Sequence, residues 1–275
     1  MRVVFASARS SPGVTTAMLA CASVWPSRML LVEASEDGGA LAARFGLGFE
    51  PGLTTLTAAL RHGGTTVDLA SHGQPLPGTD ERLVAVVGPP ATEQAQVLLR
   101  SVAARLDGVL SETDTYETVL IDVGRVSAAP MATPLIASAD RLVLVARPRV
   151  EELQALAHRL PVVARIGPPP ELLLIGERPY GREEIAATLG CPVLGVLAHD
   201  PNTADALAAV TAVRRLGRSP LLRSAVGVVE QLTRQCTAHA SASRAWTSST
   251  VERVPAVSVN GVDAASSRWS ALRRP

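Results

Sequence analysis

The groups best placed for chemistry lie near the N-terminus, in RVVFASARSSPGVTTAMLACA (residues 2–22). Val3, Val4 and Phe5 read as a buried strand, Ser7 to Gly13 as a tight polar loop, and Thr15 to Ala22 as the start of a helix. Strand, loop and helix in that order gather backbone N–H groups and the positive end of a helix dipole at one point, the arrangement that holds phosphate. Within residues 9–16 lie the guanidinium of Arg9 and the hydroxyls of Ser10, Ser11, Thr15 and Thr16. A working phosphate loop reads G-x-x-x-x-G-K-[ST], with a lysine for the β/γ-phosphates and a hydroxyl for Mg²⁺. Here Ala8 stands for the first glycine and Val14 for the lysine. No neighbour can stand in, because all 26 basic residues of the chain are Arg.

The elements that must position this loop follow from hydrophobic runs. Further strands are expected at 28–33, 83–87, 118–122, 141–146, 172–175 and 193–197, two of them ending on an acid, Glu33 and Asp122. Helices are expected at 40–45, 51–60, 92–106, 150–164, 183–189, 204–216 and 220–236, with a short one after the Gly/Pro-punctuated loop at 123–134. Residues 61–81 have the Gly/Pro/Thr density of a loop. Apolar strands alternating with helices predict a doubly wound, mostly parallel α/β sheet with helices on both faces. It is expected as one domain over residues 1–238. Ala, Ser, Thr and Val without periodicity predict a disordered tail over 239–275.

Composition narrows the partners. A formal net charge of +1 gives no global field toward nucleic acid or membrane, and 47% hydrophobic residues suffice for a core. Cys21, Cys191 and Cys236 are too few for a disulfide framework and too dispersed for a metal knuckle. His62, His72, His158, His199 and His239 show no metal-ligand spacing, and there is no G-x-S-x-G elbow. With no signal peptide or membrane span to read, a soluble, cytoplasmic protein is expected. Arg214, Arg215 and Arg218 are either a solvated face or a nonspecific DNA contact. Arg268, Trp269, Leu272, Arg273 and Arg274 leave open a peripheral contact with membrane or an acidic surface.

The chain resembles the MinD/ParA family of deviant P-loop ATPases. The family's K-G-G-x-G-K-T-T overlays RSSPGVTT (9–16) without gaps, and four further segments follow in the family's order. LLVEASEDGGALAARFGL (30–47) is similar to its L-L-I-D-x-D-x-Q-G region, and YETVLIDVG (116–124) to its Y-D-x-x-L-I-D strand. ADRLVLVARP (139–148) is similar to A-D-x-x-L-V-x-x-P, and GCPVLGVLAHDP (190–201) to L-G-x-P-V-L-G-x-I-P-x-D. The resemblance implies a P-loop NTPase-like fold, ATP and Mg²⁺ as cofactors, and work in positioning division sites, chromosomes or pilus and secretion machines. It further implies a protein partner, a nucleotide-linked homodimer, and in some members contact with the membrane or nucleoid.

Carried over by residue, the resemblance places Arg9 where the family has its signature lysine; a solvated surface Arg is the alternative. Ser10 and Ser11 replace two glycines, Pro12 removes an N–H, and Gly13 is kept. Thr15 takes the Mg²⁺-hydroxyl position with Thr16 after it, although either also suits a helix N-cap. Glu33 stands for the first switch carboxylate, which helps orient the attacking water, and Ser35 replaces the second. Asp122 falls where the family holds Mg²⁺ through water, or is a polar cap on a strand. Gly176 stands where the family often has Asn near the base, and Asp200 and Pro201 match the loop beside it, with a simple helix N-terminal turn as the alternative. The implied catalytic residues are thus Glu33 and Asp122, the cofactor-binding ones Arg9, Ser10, Ser11, Gly13, Thr15, Thr16 and Asp200, and the metal ligands Thr15 and Asp122. Loss of one charge-assisted bond costs about 1.5–3 kcal/mol, roughly 10- to 150-fold in affinity, which nucleotide binding can survive. Phosphoryl transfer depends on placed charge, and one lost transition-state donor costs about 10²–10³ in rate, so hydrolysis near background is expected. The alternatives are an active ATPase that uses Arg9 and backbone donors, and a structural adaptor with an empty pocket.

Overall fold

The computed structural model describes residues 1–9, 12–62, 67–79, 81–208 and 219–242, with the backbone alone at 208 and 235–242. The chain divides into two compact units, Met1–Leu232 and Thr233–Pro275, and the sheet belongs to the first. In order come β1 (Arg2–Ser7), α1 (Val14–Val24), β2 (Met29–Glu33), α2 (Leu41–Phe45), α3 (Leu53–Arg61), a 3₁₀ turn at Leu69–His72, β3 (Gln74–Pro75), β4 (Leu83–Val86) and α4 (Thr92–Glu112). There follow β5 (Thr118–Arg125), α5 (Thr133–Ala137), β6 (Arg141–Ala146), α6 (Val150–Ile166), β7 (Pro170–Ile175), α7 (Arg182–Leu189), β8 (Val193–Leu197), α8 (Pro201–Ala208) and α9 (Pro220–Ala242).

The strands form one sheet in the order β3-β4-β2-β5-β1-β6-β7-β8, parallel except for β3. Each central strand is apolar at consecutive positions because both of its faces are covered. Val3, Phe5, Met29, Leu31, Leu120, Val143 and Val145 point to one side and join a buried cluster with α1 and with Leu221, Ala225, Val228 and Leu232 of α9. Their alternates Val4, Leu30, Ile121 and Leu144, also buried, serve the other face, where α3 to α7 lie side by side. Cys21 of α1 and Cys191 are buried free thiols, each pushed up to about 12 by desolvation.

Every expected strand is present, and the differences lie at ends and in loops. β3 is a two-residue antiparallel strand inside the expected loop, too short to carry a period. β5 continues three residues past Asp122, through a register irregularity against β1 and a left-handed Gly124 (φ 63). α4 extends to Glu112 because Leu110 is still buried. The helix expected at 204–216 begins at Pro201, and its part beyond 208 lies outside the described residues, as do Arg214, Arg215 and Arg218 and the tail from 243 onward. Among the described residues, no helix is long and apolar enough to cross a membrane.

At the opposite end of β6 from the site, Arg141 (4% exposed) is paired with Glu171 on β7 and also donates to the Leu232 carbonyl at 3.3 Å. Removing one member of a buried pair leaves the other charge uncompensated, at a cost of about 3–5 kcal/mol. Glu171→Ala is expected to lower the unfolding free energy by about 3–5 kcal/mol in urea titrations. The double change Arg141→Met with Glu171→Leu should cost far less.

Candidate functional site

The connection from β1 runs toward β2 and that from β6 toward β7, so a crevice opens between the carboxyl ends of these neighbouring strands. There lies a cavity of about 440 Å³, walled by the loop after β1, the ends of β2 and β5, the segment 35–44, and Arg147 just after β6. Parallel register lines up its acids, since Glu33 on β2 and Phe5 on β1 both pair with Asp122 on β5.

The loop delivers an open helix end. Gly13 takes a left-handed conformation (φ 106) that L side chains rarely adopt, and its carbonyl accepts the Ala17 N–H at 2.8 Å. No side chain caps α1 and its first turn holds no acid, so its amide dipoles face the cavity uncompensated. Val14, the first residue of α1, is 7% exposed and packs into the apolar cluster beside Ala17 and Met18. Arg9 is exposed on the cavity wall. Ser10 and Ser11 lie outside the described residues.

Thr15 and Asp122 meet. The Thr15 hydroxyl donates to Asp122 Oδ2 at 2.6 Å, and the Gly124 N–H donates to Oδ1 at 2.8 Å. Burial raises the Asp122 pKa above the usual carboxylate range, while these two bonds and the charge of Arg44 oppose the shift. Thr16 faces another partner, accepting from Arg44 Nη1 at 3.2 Å. A hydroxyl and a carboxylate are the hard oxygen donors that suit Mg²⁺, which takes one or two carboxylates and completes its shell with phosphate and water. Among the described residues there is no group of three His, Cys, Asp or Glu able to hold a metal unaided.

Glu33 is held tightly. Oε1 accepts the N–H groups of Ala40 (2.5 Å) and Leu41 (3.0 Å) at the start of α2, and Oε2 accepts the Gly88 N–H beyond β4 (3.0 Å). Desolvation raises its pKa, the backbone bonds lower it, and nearby Asp122 raises it again. A Cβ at Gly39 would collide with Glu33 Oε2 and the Gly88 carbonyl, so the loop can close over the acid only with glycine there. Ser35 occupies the space a side chain at Gly124 would fill, and Asp37 is paired with Arg125 at 3.0 Å on the rim.

Asp200 lies apart from these groups, in an adjoining cavity of about 220 Å³ that shares Pro12, Gly13 and Thr16 with the first and adds Ile175, His199 and Leu221. Its carboxylate accepts from the Thr203 N–H (3.1 Å) and hydroxyl (2.6 Å), capping α8, and these bonds lower its pKa. A third cavity of about 490 Å³ includes Gly176 and Arg178. Sequence reasoning missed Arg44 and Arg147. The signal for Arg147 was its place directly after an apolar strand, one position beyond the strand-ending place that singled out Glu33.

No family model matches the sequence, and no curated protein is similar to it in sequence. Solved structures are similar in fold. The ParA family ATPase from Chlorobium tepidum TLS has a TM-score of 0.68 at 18% identity, covering 84% of this chain and 98% of its own. MinD in the MinC:MinD cell division complex of Aquifex aeolicus has 0.66 at 13%, covering 85% and 95%. The septum site-determining protein MinD from Pyrococcus horikoshii OT3, solved with Mg-ADP, has 0.62 at 17%, covering 86% and 96%. Identities this low speak to architecture, and the architecture of this chain is that of the ParA and MinD ATPases.

Proposed function

We propose that this chain binds ATP weakly with Mg²⁺, hydrolyses it near background, and acts through a protein partner in positioning or assembling a cellular machine, as a pseudo-ATPase of the ParA/MinD type. The observation that carries the reading is Val14. It opens the helix of a phosphate-shaped loop, yet it is an aliphatic side chain packed into the core, with no ammonium to offer. The surrounding parts support nucleotide binding: an uncapped α1, the Thr15–Asp122 bond, and a second cavity for a base beside Ile175 and His199. Glu33 supports weak hydrolysis, because both of its oxygens already hold backbone amides and its first duty is to tie α2 to the end of β4. Partner binding and the positioning role are supported by the fold shared with MinD and ParA; dimerisation, domain limits of 1–238 and 239–275, and contact with membrane or nucleoid belong to the same proposal.

Phosphate release by the full chain with MgATP is expected near background, while a fluorescent ATP analogue binds. Brisk turnover abolished by Asp122→Ala would overturn the reading in favour of an active ATPase, and absent binding would leave the adaptor. Val14→Lys is expected to strengthen ATP binding about 10-fold or more while raising the rate less. Pro12 and the neighbouring serines remain unchanged in that variant.

Asp122 also makes a pH prediction. Its native pKa is raised, so the native state holds a proton more firmly than the unfolded chain does, and the favourable contribution is lost as pH rises through the native value. Asp122→Asn removes that penalty. Its melting temperature should exceed the wild type's at pH 7–8, and the difference should shrink on acidification, as scanning calorimetry across pH will show. The same variant should lose the Mg²⁺ dependence of nucleotide binding.

A further inference from the structure

We infer that Arg147 is the cation of this cradle, gripping the polyphosphate of a nucleotide in place of the group Val14 cannot supply. The inference rests on the nucleotide reading above and goes beyond it by naming the residue that makes binding workable.

Four observations carry it. Arg147 lies three residues beyond Leu144, the register partner of Ala6, so β6 delivers it level with the phosphate loop on the neighbouring strand. It lines the 440 Å³ cavity together with Gly13, Thr15 and Asp122, the 220 Å³ cavity beside Asp200 and the 490 Å³ cavity beyond it, so the residue stands where the three adjoin. Its backbone is fixed, with its N–H donating to Glu152 Oε2 at 2.7 Å and Pro148 following. Its side chain, by contrast, is unspent: Nε is buried without a hydrogen-bond partner, whereas of the other arginines lining the same cavity Arg44 is bound to Thr16, Arg125 to Asp37, and Arg9 is exposed to solvent.

A buried guanidinium N–H left unpaired is costly, and such groups in folded proteins mark places where something else binds. The chemistry of that something follows from the walls. Guanidinium offers a planar fork matched to phosphate oxygens, and the uncapped end of α1 adds a second attraction for anions across the same space. Glu33 and Asp122 in the same cavity would repel a polyphosphate, and a cation with no acid partner of its own offsets that repulsion.

The test is calorimetric titration of the full chain, wild type, Arg147→Gln, Arg147→Lys and the exposed neighbour Arg149→Gln, with tripolyphosphate, MgATP and adenosine. Arg147→Gln is expected to weaken tripolyphosphate and MgATP roughly 10- to 100-fold and to leave adenosine unchanged. Arg147→Lys should recover part of the loss, and Arg149→Gln should match the wild type. Without ligand, Arg147→Gln should melt no lower than wild type, because it breaks no internal bond; a drop shared by Arg147→Lys would point to a structural role and overturn the inference. Tripolyphosphate affinity of Arg147→Gln within twofold of wild type would overturn it, as would a wild type that takes up none. Arg147-dependent uptake of tripolyphosphate without uptake of MgATP would sustain this inference and sink the nucleotide reading.

Discussion

Two carboxylates, Glu33 and Asp122, sit in register on adjacent parallel strands, each 2% exposed, at the end of the sheet where the loop after β1 emerges. Burying two carboxylates is unfavourable: desolvation raises the pKa of both, and Asp122 raises that of Glu33 further. The surroundings answer this with oriented donors: three backbone N–H groups on Glu33, and the Thr15 hydroxyl and Gly124 N–H on Asp122. Those donors come from α2, the turn after β4, α1 and the bulged end of β5. Satisfying two acids therefore fixes the path of four loops, and the cavity is the space they leave.

The division of labour between the acids differs. Glu33 spends its oxygens on backbone and behaves as a strut. Asp122 spends one oxygen on a hydroxyl that can rotate away, so it retains the capacity to meet a cation or water. A side chain at Gly39 would collide with Glu33, so this acid dictates glycine six residues further on, while Gly124 is held left-handed with Ser35 in the space its side chain would need.

Much of this architecture was legible in the sequence because strands buried on both faces are written as unbroken apolar runs, as in LLVE and TVLID. The short β3 was not, since two residues carry no periodicity, and the extension of β5 depends on a left-handed Gly124 that reads locally as a loop signal. The acids were found because they end such runs, and the hydroxyl of Thr15 because the loop before it overlays a phosphate-loop motif. Arg44 and Arg147 were not, because an arginine in a chain whose every basic residue is Arg attracts no notice until its neighbours are known. At Asp200 the sequence left two readings open, a loop beside the base and a helix-start turn, and the residue caps α8 while lining the adjoining cavity.

Cys21 adds a different kind of consequence. Its thiol lies on the cradle's own helix, fully sealed and held protonated at neutral pH. Alkylating reagents can reach it only when the packing around α1 opens. The chain thus carries an internal clock, in which the pace of labelling at Cys21 measures how often the packing beneath the phosphate loop comes undone.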